Sequence, residues 1–189
     1  MFNIDEEIKN LIEKYPDLWE KKQYKPNTIL FSKGEIVNQN FYIESGILKA
    51  YTYNEDLDKN VVVHFFANGE FILPYKKVCS ETIPTMVYIE TIENSIIHSI
   101  NSNDWENLKE KEPILDELIY YDFVRLLKKF IIMAQINAYP DAQTRYDKAC
   151  EFYPALCRIS NVEVASFFGN DRSTINRGKS SSIKKKIKK

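Results

Sequence analysis

Three features of the sequence predict an α+β fold with a β-rich N-terminal region, one long helix and a C-terminal helical module. The first is a series of short apolar runs between Pro26 and Ile100, separated by turn residues at intervals of about ten positions. The second is a long stretch from Pro113 to about Tyr139 whose apolar residues recur at helical spacing. The third is Asn161–Arg177, NVEVASFFGNDRSTINR, where one helical pattern breaks at Gly169 and a second begins.

Taken in order, the chain opens with an expected helix from about Asp5 to Glu20. Ile8, Leu11, Ile12, Tyr15, Leu18 and Trp19 recur at its period, and Pro16 bends or divides it. Strands are expected at Thr28–Phe31, Phe41–Glu44, Ile47–Tyr53, Val61–Phe66, Val87–Thr91 and Ser95–Ile100. Strands so spaced fit a sandwich, a barrel or a roll. Leu73 to Thr85 contains Pro74 and Pro84 and reads as irregular, a place where a ligand pocket would be lined. Helix returns after Asn101, capped by Asn103 or Asp104, and Pro113 is expected in the first turn of the long helix.

That helix carries two apolar seams side by side. Ile119, Phe123, Leu126, Phe130 and Met133 form one, and Tyr120, Val124, Leu127, Ile131 and Ala134 the other. At 1.5 Å per residue it is roughly 40 Å long, more than one small β-domain covers. One seam suffices to rest on that domain, so the second points to a partner chain or to burial on both sides within one chain. Another helix is expected from Ala142 to about Phe152, with Tyr146, Ala149 and Cys150 on one side. In Asn161–Arg177, Val162, Val164, Ala165 and Phe168 form the apolar side of a first helix, Gly169 takes a left-handed turn, and Asp171 caps a second helix with Ile175 inward. These residues fit a helix-turn-helix, and equally an ordinary pair of surface helices.

Composition narrows the function. The 189 residues are 44% hydrophobic, enough for a real core. Charge interrupts every apolar run, so neither a membrane span nor a signal peptide is expected, and the protein is placed in the cytoplasm. Cys79, Cys150 and Cys157 lack a C-x-x-C pair and read as buried free thiols. From residue 161 onward eight Lys or Arg face only Glu163 and Asp171, a net +6, which leaves −7 on residues 1–160 of a chain whose total is −1. A basic module on an acidic body suits a nucleic-acid binder, because phosphate contacts supply most of its sequence-independent affinity.

The order of elements, together with Phe41–Tyr53 (FYIESGILKAYTY), Val61–Ile72 (VVVHFFANGEFI), Thr144–Leu156 (TRYDKACEFYPAL) and Val164–Arg177 (VASFFGNDRSTINR), resembles the Crp/Fnr superfamily of bacterial transcription regulators. The likeness runs through almost the whole chain and is greatest to short members without a clear wing. It implies a cyclic-nucleotide-binding-like, jelly-roll-type β-roll over residues 1–112, a dimerisation helix over 113–139 and a helix-turn-helix DNA-binding domain over 140–189. It further implies a homodimer on double-stranded DNA, with RNA polymerase as a further partner. Arg172, Ser173, Thr174, Asn176, Arg177 and Lys179 are then the DNA-contacting residues. Ile119, Tyr120, Phe123, Val124, Leu127, Phe130 and Ile131 would form the dimer interface.

Two departures from the family pattern shape the expectations. Members that bind cyclic nucleotides hold the phosphate with a Gly-Glu-Leu turn and an Arg-Ser/Thr-Ala triplet, where this chain has Leu73-Pro74-Tyr75 and Thr85-Met86-Val87. No arginine occurs between Met1 and Tyr121, so cyclic AMP is not expected to bind. An unidentified apolar or aromatic effector would instead meet Phe66, Phe71, Tyr75, Thr85, Tyr88, Tyr120 and Tyr121. Second, Gly178 interrupts the recognition helix at about 1 kcal/mol relative to alanine, which leaves a degenerate DNA head on a sensing or protein-interaction module as the alternative.

An enzyme is not expected. Only His64 and His98 are present, each in a strand with apolar neighbours, where a histidine satisfied by one hydrogen bond is the ordinary case. A metal site of the cupin kind needs two or three histidines converging with a carboxylate. Neither a nucleophile elbow nor a glycine-rich phosphate loop occurs, so no cofactor or metal is assigned.

Overall fold

A computed structural model describes residues 4–74, 77–78 and 81–169. It begins with helix α1 (Ile4–Lys14), and a 3-10 turn over Pro16–Leu18 follows. The expected helix to Glu20 therefore ends early, and Trp19–Tyr24 is strand β1. Pro16 lacks the N–H needed to continue the α-helix, and β1 is held instead by pairing from Trp19↔Ile100 to Tyr24↔Ser95. The strands that follow are β2 (Ile29–Phe31), β3 (Gln39–Ser45), β4 (Leu48–Asn54), β5 (Lys59–Phe66) and β6 (Phe71–Ile72). After them come β7 (Lys77–Val78), β8 (Glu81–Thr82), β9 (Tyr88–Thr91) and β10 (Ser95–Asn101). The stretch expected to be irregular thus contains the short β7–β8 ladder, with Lys77 opposite Thr82.

Two four-stranded sheets result, ordered β1-β10-β3-β6 and β2-β9-β4-β5. Side chains alternate between faces, so each strand contributes to two environments. Phe41, Ile43, Ile72 and Ile97 from the first sheet meet Phe31, Leu48, Ala50 and Ile89 from the second in one core. Across it the Phe31 and Phe41 rings stack at 5.9 Å. Trp19, Tyr42, Phe71 and Ile100 point the other way, from the first sheet onto a helical layer.

That layer comprises α1, α2 (Ser102–Lys111) and the first turns of α3 (Ile114–Asn137). Ile8, Leu11, Trp105, Leu108, Leu115 and Leu118 pack there with the outer face of the first sheet. Trp105 sits edge-on to Trp19 at 6.1 Å. The cap of α2 is Asn101, whose side chain accepts from the Asn103 N–H, rather than Asn103 or Asp104. A capping side chain must lie outside the helix, and the strand geometry of Asn101 provides that.

On the same outer face Glu44 joins two neighbouring strands. Lys21 donates to it at 3.0 Å and His98 Nε2 lies 2.5 Å from its second oxygen. Lys21 first, and then His98, hold the Glu44 carboxyl below its ordinary range against the opposing effect of burial. His98 thus has the single hydrogen bond expected of a strand histidine. Among the described residues no group of three His, Cys, Asp or Glu is placed to hold a metal ion.

The chain divides into two compact units, Met1–Thr52 with His64–Phe123, and Tyr53–Val63 with Val124–Lys189. The second contains the end of the β4–β5 hairpin, the latter part of α3, α4 (Ala142–Phe152), a 3-10 helix over Pro154–Arg158 and α5 (Asn161–Phe167). No helix among the described residues is long and apolar enough to cross a membrane.

Candidate functional site

The C-terminal site is built on α4, the 3-10 turn and α5. Asp141 starts α4 by accepting from the Thr144 N–H at 2.7 Å, and that hydrogen bond holds its carboxyl below the ordinary range. Pro154 follows the end of α4 and opens the 3-10 turn, while Ser160 caps α5 by accepting from the Glu163 N–H. Tyr146, Ala149, Leu156, Ile159, Val164, Ala165 and Phe168 are buried in this unit. Val162, read as part of the apolar side of α5, is instead 53% exposed. It lies three positions before Ala165, yet as the second residue of a seven-residue helix it has little packed against it.

Gly169 has φ of +62°, the left-handed corner expected after the first helix of the motif. The residues assigned to DNA, Arg172, Ser173, Thr174, Asn176, Arg177 and Lys179, lie outside the described residues, as does Gly178. What the fold adds is an anchor for α5. The Ser166 hydroxyl accepts from the Val62 N–H and donates to the Asn60 carbonyl, both at 3.1 Å. Val62 and Asn60 belong to β5, an edge strand, so this serine covers backbone groups that a sheet edge leaves open. Ser166 was not singled out in the sequence; its partners are more than a hundred positions away and nothing local signals them.

The long helix spans 24 residues. Leu115, Leu118 and Ile136 are its buried residues, none of which belongs to the two seams. Along the seams Tyr120 is 71% exposed, Phe123 51%, Leu127 48%, Phe130 48% and Ile131 52%, and Val124 is exposed as well. Ile119, of the proposed interface residues, packs against the core of the helical layer. The reading in which both seams are buried within one chain is therefore not what the structure has. Large apolar side chains in a continuous exposed stripe are the mark of an interaction surface.

Comparison with known proteins places this geometry. Residues 21–112 match the cyclic nucleotide-binding domain family. Among solved structures, the chain is similar to the c-di-GMP-responsive global regulator CLP of Xanthomonas campestris, with 19% identity and a TM-score of 0.70 over 94% of this chain and 92% of that one. FixK2 from Bradyrhizobium japonicum aligns over 89% of this chain and 86% of its own at a TM-score of 0.70 and 13% identity. A CooA variant from Carboxydothermus hydrogenoformans aligns over 93% and 83% with a TM-score of 0.67 and 16% identity. The chain has a Crp/Fnr-like fold. No curated protein matches it in sequence.

The sequence resemblance put the phosphate-holding positions of a nucleotide-binding roll at Leu73-Pro74-Tyr75 and Thr85-Met86-Val87. Tyr75 lies outside the described residues, and Leu73 packs against the helical-layer core. The Thr85 hydroxyl donates to the Ser32 carbonyl at 2.7 Å, and its N–H donates to the Glu35 carbonyl at 2.9 Å. The polar atoms of Thr85 thus serve the Ser32–Glu35 turn, and Met86 beside it is 79% exposed.

The structure does not gather the expected effector residues into one place. Phe71 is buried with Tyr42 and Trp105 beneath the helices, and Phe66 packs on the core between the sheets. Tyr88 stacks on Tyr51 at 5.1 Å on the outer side of the second sheet, beside a Lys49–Glu90 pair at 3.2 Å. Sheet alternation separates them: one position along a strand changes the face. Tyr120 and Tyr121 are exposed on α3.

Proposed function

We propose that this Crp/Fnr-like chain is a homodimeric, sequence-specific DNA-binding transcription regulator that does not respond to cyclic AMP. The observation that carries the reading is the capped α5 ending at the left-handed Gly169, followed by a segment bearing Arg172, Arg177 and six lysines. Two such heads related by a twofold axis along α3 would address successive major grooves about 34 Å apart. Arg172 and Arg177 would contact guanine or phosphate and Asn176 adenine, with Ser173, Thr174 and Lys179 on the backbone. RNA polymerase would be the downstream partner.

Sites selected from random DNA with the purified protein provide the probe, and gel shifts across a salt series provide the test. Several phosphate contacts per dimer give a steep fall of log affinity with log salt. Arg172→Ala should lower affinity for the selected site by roughly ten- to a hundredfold, about 1–3 kcal/mol, while leaving random-sequence binding nearly unchanged. Equal loss on both DNAs would make Arg172 a phosphate contact. Little binding at any salt would favour a sensing module whose head is degenerate.

Cyclic AMP gives a second test. Without arginine in the roll the cyclic phosphate has no charge-assisted bidentate partner, and Thr85 is engaged in a turn. Isothermal titration calorimetry is expected to show no micromolar binding; a micromolar isotherm would overturn this part of the proposal.

A further inference from the structure

The C-terminal head joins α3 through residues 138–141, a non-helical connection that contains Pro140. One side of the head is open to solvent: Phe152 is 58% exposed, and Cys157 is exposed in the 3-10 turn, contrary to the expectation of a buried thiol. Polar contacts within the second unit restrain the head. Lys129 of α3 donates to the Tyr153 hydroxyl at 3.1 Å and lies 4.3 Å from the centre of its ring, which holds the end of α4. Further from the connection, the half-buried Ser166 of α5 engages one donor and one acceptor of β5 at once, Val62 N–H and Asn60 C=O, each at 3.1 Å.

β5 gives that serine a firm base. At the turn before it the Leu57 N–H donates to the Asn54 side chain at 3.0 Å, and the Tyr53 hydroxyl donates to Asp58. The strand then runs unbroken to Phe65, which is 1% exposed. Asn60 and Val62 are two positions apart, so their outward groups lie on the same edge of the sheet, where they have no neighbouring strand. A serine side chain turns about one bond only, with three staggered settings. A hydrogen bond at both ends of its hydroxyl therefore fixes how α5 lies against the strand.

We propose that Ser166 is a positioning residue that sets the spacing at which two DNA-reading heads engage their half-sites. The inference rests on the homodimeric DNA-binding reading above. In a twofold dimer along α3 the half-site centres lie about 34 Å apart. Each base pair added between them moves one half-site by about 3.4 Å and turns it roughly 35° about the duplex axis. A head pinned to β5 cannot follow that turn, so the dimer selects one spacing. A head released from β5 swings about residues 138–141 and accepts several. Ser166 acts through the placement of α5 and needs no contact with a base.

The test compares the full-length protein with Ser166→Ala and Ser166→Thr on one selected half-site, and on pairs of it whose spacer is changed by one or two base pairs in either direction. The native chain should favour one spacing about tenfold or more over its neighbours, and Ser166→Ala less than about threefold, with binding to the single half-site alike to within about twofold. Ser166→Thr keeps the hydroxyl and should keep the native preference. Residue-resolved hydrogen exchange without DNA supplies a second readout: the Val62 amide should exchange about tenfold faster or more in Ser166→Ala, while the amides of α4 are unchanged. A spacing preference that survives Ser166→Ala, whether or not affinity falls on every DNA, would overturn this inference alone, as would Val62 exchange that ignores the substitution. A native chain that binds none of the DNAs would overturn the DNA-binding reading and the spacing role with it, and the exchange rates would still report whether Ser166 holds α5 on β5.

Discussion

Replacing Leu127 and Ile131 together by aspartate is expected to convert the proposed homodimer into a monomer in light scattering at micromolar concentration. Both side chains lie about half exposed on α3, at 48% and 52%, one helical turn apart. In a twofold dimer each substitution enters the interface twice, so four carboxylates would be taken from water with no cation opposite them. An unpaired buried charge costs several kcal/mol, and about 3 kcal/mol already shifts a dissociation constant by roughly a hundredfold. DNA affinity should fall with dimerisation, because two linked half-sites become two independent weak ones. Leu127→Met, which keeps apolar volume, should leave both properties nearly unchanged. A double variant that remains dimeric would remove α3 as the interface.

The second large effect is on stability. Gly46 joins β3 to β4 with φ of +115°, and its N–H donates to the Asn68 side chain at 2.9 Å. A Cβ at this position would lie 2.1 Å from Ser95 Oγ and 2.8 Å from Ser95 Cα, the latter a backbone atom in β10 that cannot rotate away. Gly46→Ala therefore combines backbone strain with overpacking, each worth about 1–3 kcal/mol. A total near 3 kcal/mol or more should lower the melting temperature by about 6–12 °C in a thermal scan. Gly34 is the internal control: its φ is +89°, but a Cβ there meets nothing within 4 Å. Gly34→Ala should cost only the backbone component, about a third to a half as much. Equal losses at the two glycines would show that the close approach of Ser95 carries no weight.

Much of the roll could be read directly. Strands β3, β4, β5, β9 and β10 fall where apolar runs and turn residues put them, because β3 and β10 are buried on both faces and β4, β5 and β9 carry core residues bounded by turns. Strand β1 could not be read this way. Trp19–Tyr24 (WEKKQY) has one large buried residue followed by exposed charge, and its strand state comes from hydrogen bonds to β10, a partner far along the chain. The effector residues show the same limit from the other side. Their aromatic character is plain in the sequence, but whether Phe71 and Tyr88 share a pocket depends on which sheet and which face each occupies.

By itself the sequence determined the composition and order of the elements: a charge-interrupted, β-rich first half, a long doubly striped helix, and a helix ending at a glycine before a basic tail. Those are local properties, set by residue type and periodicity within a few turns. The tertiary structure decided which surfaces those elements present. It left the α3 stripe exposed and placed Ser166 on the edge of β5. It also set Gly46 against Ser95. Each of these depends on chain segments meeting across turns or across long sequence separations, and such meetings are fixed by packing the whole core rather than by any local pattern.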